Sequence, residues 1–505
     1  MSSLQSARLK PCSPIALLVA LQLTSCGGSG DGPGAAIDLQ SWPVAVQQES
    51  EPAFERVVLV TIDTLRADHV SAYGYGRKTT PFLDSLAERG VLFENALAAI
   101  SHTAPSHATM LTGLVPTAHG IVLNGGTLDP AALDLARLSK ESGYATGAFV
   151  NVQFLAGIAG SFDEVGVRAI GKVDGRKTIL TGEHVVDAAI DWLNRRRSSE
   201  RFFLWVHLYD PHKWKELMLE VPDGPLWTGP TPDDFMASVA RLHGIPEPRP
   251  GEFQFDWKAA MKSGRSIDTE GAESFQRSID AYDALTAFSD RQVKRLYGAV
   301  EGLGLPGRTL WVVTSDHGEG LASHGVAGHG GRIYQEQLRV PLVLHASDGS
   351  IAPARRTELV AHIDLFATVA EALGRSTVGV EGLYEGRSLW PLLRGEQPPW
   401  GPRSVFAQRK ADEDPPPGEE TRMYALQDEN HKYLLHEPGE DEFYDLTSDP
   451  LELDNRIGRG DPAEAALQAE LLERLRLLEM LSRSNSDLEV PEEWMEELRD
   501  LGYAR

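Results

Sequence analysis

The chain has 505 residues, 42% hydrophobic and 24% charged. That is enough to bury one large core plus a smaller companion domain, and it excludes a disordered or collagenous protein. Lys plus Arg number 48 against 73 Asp plus Glu, a formal net charge of -25, which opposes general affinity for nucleic acid or anionic lipid and leaves any polyanion to local basic sites. Cys12 and Cys26 are the only cysteines, so no disulfide framework or zinc–thiolate cluster holds the body together.

In chain order, Arg8 and Lys10 precede a short apolar run from Ile15 to Leu23, the pattern of a secretory signal and too short to span a bilayer comfortably. The run ends in Leu23-Thr24-Ser25-Cys26 before Gly27-Gly28, which resembles the bacterial lipoprotein box. The resemblance implies that residues 1–25 are a removed signal and that lipidated Cys26 anchors an exported protein in the cell envelope, at the periplasm or outer membrane. Residues 26–54 read as a flexible tether rich in Gly, Ser, Pro and Gln. No later segment is apolar enough to cross a membrane.

From Arg56 short β-branched runs alternate with amphipathic stretches. The pattern predicts an α/β fold, a mostly parallel central sheet with helices on both faces. Predicted strands are Val57 to Ile62, Ala145 to Val150, Phe202 to Leu208, Thr309 to Thr314 and Val340 to His345, each a nearly continuous apolar run as a doubly buried strand requires. Predicted helices open at Thr80-Pro81 and run over Leu128 to Ser142, His184 to Arg197 and Ser274 to Leu303. Residues 213–273, rich in Pro, Gly and Trp, read as an insertion near the mouth of an active site and as the seat of substrate selectivity. The catalytic unit is expected over 55–396 and a smaller C-terminal α+β subdomain over 397–505, with a final helix from Pro462 to Ser482.

In an open α/β sheet, ligands bind beyond the carboxyl ends of strands. Polar clusters there are Asp63-Thr64, Asp210-Pro211-His212 and Ser315-Asp316-His317-Gly318, with Ser101 to His107 as a further one. Any one of them alone is equally a cap or turn. Together, Asp63, Asp316 and His317 make a mixed oxygen and nitrogen set suited to one divalent metal, Zn or Mn, with Ca or Mg possible.

Thr103 lies two residues before Pro105, which suits the first turn of a helix that stops near Gly113. A hydroxyl at a helix N-terminus is an N-cap or, beside a metal, an activated nucleophile toward an anionic ester. His317, His324 and His329 put three imidazoles within thirteen residues of a Gly-rich stretch, a pattern for anion or metal binding. Lys78, Arg66 and Arg332 read as solvated surface residues.

With these residues in hand the sequence resembles the sulfatase family of the alkaline phosphatase superfamily, from about Arg56 to Arg456. The resemblance rests on Val60 to His69, Ala104 to Gly113, Thr314 to Glu319, Gly328-His329-Gly330 through Leu342, His362 to Leu365 and Phe443 to Pro450. It implies an alkaline-phosphatase-like fold, a metal on Asp63, Asp316 and His317, a nucleophile at Thr103, and contacts from His212 and His329 to the charged oxygens of the substrate. Two positions depart from the family. The usual Cys or Ser, converted to formylglycine, is Thr103, and the Arg that supports it is His107. Threonine cannot become that aldehyde, because oxidising its secondary alcohol gives a ketone. Thr64 and His317 also replace a carboxylate and an amide that complete a calcium site, which shifts the expected metal toward Zn or Mn.

These features predict a lipid-anchored, metal-dependent hydrolase that cleaves a sulfuric or phosphoric ester of a small anionic molecule or glycan through Thr103, with His107, His212 and His329 in the catalytic set and Thr64 among the metal residues. The alternatives are a phosphoryl-group transferase of the phosphoethanolamine or phosphoglycerol kind, and a catalytically silent pseudosulfatase that binds glycans.

Overall fold

A computed structural model of the chain describes residues 47–48, 50–167, 170–173, 176–179, 181–196, 201–220, 225–232, 235–243, 254–255, 269–376, 386–409 and 422–482. The lipoprotein-like segment with Cys26, most of the tether and much of the 213–273 insertion lie outside them. Among the described residues no helix is long and apolar enough to cross a membrane.

Eight strands form the central sheet: β1 (Arg56–Ile62), β2 (Val91–Leu97), β3 (Ala145–Val150), β4 (Glu164–Val167), β5 (Phe202–Leu208), β6 (Thr309–Ser315), β7 (Arg339–Ala346) and β8 (Ala354–Ala361). Their order is β8-β2-β7-β6-β1-β5-β3-β4. Only β7 runs against its neighbours, so the sheet is mostly parallel, as expected. Side chains alternate along each strand. Val57 and Leu59 of β1 enter one core and Val58, Val60 and Ile62 enter another on the opposite face. The first core packs α2 (Thr103–Thr112), α3 (Leu135–Glu141) and α6 (Ile363–Ala372); the second packs α1 (Pro81–Ala87), α4 (Gly182–Asn194) and part of the long α5 (Gly271–Gly302). Helices therefore cover both faces.

Several expectations shift at their edges. The helix expected over Leu128 to Ser142 is the shorter α3, because the Asp134 carboxylate accepts the Arg137 N–H at 2.8 Å and caps the helix there. The tether ends early. Gln47–Gln48 pairs with Arg375–Ser376, the Ala53 N–H reaches the Ala372 carbonyl at 2.9 Å and Phe54 is buried.

A second, antiparallel sheet carries the C-terminal part: β9 (Val405–Arg409), β10 (Arg422–Gln427), β11 (His431–Glu437) and β12 (Glu442–Asp445), flanked by α7 (Pro462–Ser482). It docks through buried charges. Lys432 Nζ is 2.7 Å from Glu452 Oε1, and His324 lies between Glu336 Oε1 and the Glu452 carbonyl, each at 3.1 Å, stacked on Tyr334. His324 thus turns away from the catalytic side, against the expectation that all three imidazoles of the Gly-rich stretch serve an anion or metal. Burial lowers its proton affinity, but the Glu336 carboxylate and then Glu452 outweigh burial and raise its pKa to about 9. Because a histidine raised in the folded state stabilises fully below its unfolded value of about 6.5 and loses that contribution as pH passes the folded value, the melting temperature is expected to fall through about pH 9. Thermal melts of His324→Gln should show that step diminished; an identical step would assign it elsewhere.

Candidate active site

β1 and β6 lie side by side in parallel with Ser315 opposite Ile62. The residues after them, Asp63 and Asp316-His317, therefore leave adjacent strand ends together. All three are buried, and each places one ligand atom within 4.8 Å of the others. Among the described residues, both oxygens of Asp63 and Oδ2 of Asp316 lack a hydrogen-bond partner, a costly state for buried carboxylates without a counter-charge. His317 donates Nδ1–H to the Gly318 carbonyl at 2.9 Å. Its Nε2 lone pair therefore faces Asp316 Oδ2 at 3.6 Å, a spacing set by two ligands about 2.1 Å from one cation. Two carboxylates and an imidazole fit a divalent cation. Burial pushes the Asp63 carboxyl well above the usual range, and the charge of Asp316 adds to the shift. Burial acts the same way on Asp316, but His317, His107, His207 and the Thr64 N–H outweigh it and hold that carboxyl low.

Thr64 has φ 57, a left-handed backbone that a β-branched residue rarely adopts. Its N–H reaches Asp316 Oδ1 at 3.0 Å and its carbonyl accepts the Tyr282 hydroxyl at 2.6 Å. The strained turn is fixed from both sides, and buried Thr64 Oγ1 has no partner among the described residues. Arg66 extends the clamp. Far from being solvated, it is 1% exposed, paired with Asp68 Oδ2 at 2.6 Å and donating to the carbonyls of Glu319 and Gly320 at 3.1 Å. Lys78 is exposed, as expected.

Thr103 opens α2, which Gly113 closes with φ 70 where a Cβ would press on Phe366. The Thr103 hydroxyl is buried 3.4 Å from His317 Nε2. One turn on, His107 Nδ1 meets the Thr103 carbonyl at 2.7 Å and its Nε2 meets Thr61 Oγ1 at 2.9 Å. Thr61 Oγ1 also accepts Trp205 Nε1–H and neighbours His207 Nδ1, both at 3.1 Å. Burial holds both imidazoles neutral, with pKa values near about 3 for His107 and about 4 for His207. The carbonyl requires His107 Nδ1–H, so Thr61 donates to His107 Nε2 and accepts from His207 Nδ1–H. His207 Nε2 is thereby left bare, 3.2 Å from Asp63 Oδ2. Two lone pairs so close repel unless a proton on Asp63 or a nearby cation relieves them, an arrangement that also fits a metal.

On the other side of His317, its ring lies 4.5 Å from that of His329, which lies 4.9 Å from that of His212. Tyr209 OH fixes His212 Nε2 at 3.1 Å, and Glu319 sits 3.4 Å from His329 Nδ1. Burial drives His212 and His102 well below the usual imidazole range, and the charge of His329 adds to it.

The structure thus brings together Asp63, Thr64, Thr103, His107, His212, Asp316, His317 and His329. His107 acts through the Thr103 backbone, both its nitrogens being engaged within the protein. Three further residues escaped sequence reading: His207, Glu319 and Asn124. Asn124 accepts the Ala104 N–H on Oδ1 at 2.8 Å, which fixes the orientation of its amide. Its buried Nδ2 has no acceptor among the described residues. A polar residue inside an apolar strand was the available signal for His207; Asn124 and Glu319 carried none.

Residues 55–375 match the family described as sulfatase, and residues 330–480 match the C-terminal region of N-sulphoglucosamine sulphohydrolase. An N-acetylglucosamine-6-O-sulfatase of Bacteroides thetaiotaomicron is 24% identical, covering 88% of this chain and 89% of its own. The multifunctional alkaline phosphatase superfamily protein PehA of Trinickia caryophylli is 28% identical, covering 82% and 93%. Among solved structures, one in complex with its substrate D-glucosamine-2-N,6-O-disulfate superposes with a TM-score of 0.64 at 20% identity, covering 86% of this chain and 99% of its own. The phosphonate monoester hydrolase of Agrobacterium radiobacter gives 0.61 at 22%, covering 88% and 99%.

Proposed function

Because the chain belongs to the sulfatase family, we propose that it hydrolyses a sulfuric ester, or a phosphoric or phosphonic ester by the same steps, with Thr103 as the nucleophile. The observation that carries this reading is the Thr103 hydroxyl, buried 3.4 Å from His317 Nε2 at the edge of the Asp63, Asp316 and His317 group. A divalent cation held by these three and Thr64, with Zn or Mn favoured by the imidazole in the donor set, would lower the pKa of the hydroxyl and neutralise the charge of the ester.

The chain's own residues do the rest. Thr103 gives its proton to solvent water as Oγ1 bonds to the sulfur or phosphorus and the bond to the alcohol oxygen breaks. The departing oxygen takes a proton from water on the side of His212 and His329. Water then attacks the threonyl ester, releasing the inorganic acid and restoring the hydroxyl. The N-terminal end of α2 favours the developing negative charge. The free Asn124 Nδ2 supplies a donor to one equatorial oxygen, so Asn124→Ala is expected to lower kcat about 10²-fold with the metal content unchanged. Steady-state kinetics with metal analysis decide it; wild-type kcat would remove Asn124 from the site.

The relatives support both ester classes: one acts by name on a 6-O-sulfate and a structural neighbour on phosphonate monoesters. Assays on aryl sulfate, phosphate monoester, phosphate diester and phosphonate ester, each with added Mn, Zn or Ca, test the proposal. Turnover of none would overturn it. The threonine itself keeps a second reading open, transfer to an alcohol, because a threonyl ester waits for an external nucleophile. Product analysis with an alcohol acceptor separates the two, since a hydrolase yields only free acid.

A further inference from the structure

A protein of net charge -25 that takes an anionic ester gains from positive charge at the site beyond a metal, and several candidate side chains there do not provide it. Burial keeps His102 and His212 neutral at pH 7, Arg66 is committed to Asp68, and Arg409 donates Nε–H to the Gly330 carbonyl at 2.8 Å. Lys215 is different. It is the second residue of the helix Trp214–Glu220, which follows directly on the short 3-10 turn Asp210–Lys213 bearing His212. Its ammonium lies 5.1 Å from the centroid of the Trp214 ring. It also rests against the backbone just before His329, since a Cβ on Gly328 would stand 3.3 Å from Nζ.

Among the described residues no carboxylate lies within ion-pair distance of Lys215. Glu319, the acid that feels its charge, already accepts from Trp214 Nε1 at 3.1 Å and the Gly320 N–H at 3.0 Å. The charge of Lys215 is felt at His212 and Glu319, and its two contacts, the Trp214 ring and the backbone at Gly328, lie close in sequence to His212 and His329. The ammonium therefore sits beside the His212–His329 pair, the side on which the departing alcohol leaves in the proposed reaction.

We infer that Lys215 forms a subsite for a second anionic group, a sulfate or carboxylate on the alcohol portion, and so selects substrates that carry one. This deepens the reading of the chain as an ester hydrolase and rests on it. The test compares wild type, Lys215→Gln and Lys215→Arg on two aryl sulfates of matched reactivity, one with an unsubstituted ring and one bearing a ring carboxylate. Loss of a charge-assisted hydrogen bond predicts that Lys215→Gln lowers kcat/KM for the carboxylate-bearing ester by about 10- to 100-fold. The unsubstituted ester should change by less than about threefold, and Lys215→Arg should recover most of the loss. Equal losses on both esters, or none on either, would overturn the subsite. Calorimetric titration of Thr103→Ala protein, with and without Lys215→Gln, using the same two esters distinguishes the failures. A Lys215-dependent preference in binding without wild-type turnover keeps the subsite and rejects the hydrolase; turnover without that preference rejects the subsite alone.

Discussion

Thr103→Ala is expected to lower kcat by about 10⁴-fold or more while leaving the melting temperature and bound metal close to wild type. The side chain is small and buried at the start of α2. Among the described residues its hydroxyl has one polar neighbour, His317 Nε2 at 3.4 Å, so little folding energy depends on it. Thr103→Ser should retain a measurable fraction of the activity, because serine keeps the attacking oxygen and loses only the β-branch that restricts its rotamer. Kinetics on the ester that the wild type prefers, with metal analysis of each variant, measure both effects. Full activity in the alanine variant would remove Thr103 from the chemistry.

The second large effect is expected from the metal group. Asp63→Asn or Asp316→Asn should empty the site of tightly held metal and reduce turnover by a comparable factor, and chelation of the wild type should mimic both. Chelation should also destabilise the protein. A ligand at a hundred times its dissociation constant contributes about 2.7 kcal/mol, and its removal leaves two buried carboxylates facing each other. The pH dependence has a definite sign. Without a cation, burial and then Asp316 raise the Asp63 carboxyl well above its usual range. A carboxyl raised in the folded state stabilises below its unfolded value of about 3.9 and loses that contribution as pH climbs through the folded value. The melting temperature of the chelated protein should therefore drop further below that of the loaded protein as pH rises from acid toward neutrality. A gap that is constant or narrows with pH would mean that the cation binds elsewhere.

The sequence carried the inner strands because they are buried on both faces, which leaves near-continuous apolar runs. β2 was hidden by Glu94 and Asn95 in its half-buried middle, and β8 by the charged Arg355, Arg356 and Glu358 of an edge strand. Asp63, Asp316, His317 and Thr103 were legible because strand ends and a helix start are places where local pattern and ligand geometry coincide. Asn124, His207 and Glu319 join them only through tertiary packing. Arg66 and His324 were misplaced for the same reason, since charge and glycine content predict solvent or ligand contact until a counter-charge such as the half-buried Asp68 or the buried Glu336 is seen.

The central claim is that the Thr103 oxygen becomes covalently bonded to the transferred group during turnover. Rapid quenching during steady-state turnover, followed by mass spectrometry of the peptide containing Thr103, tests it most directly. The account predicts a peptide heavier by one sulfuryl or phosphoryl group, with fragmentation that places the addition on Thr103 and no addition after chelation. An enzyme that turns over at full rate while this peptide stays unmodified at every quench time would contradict it.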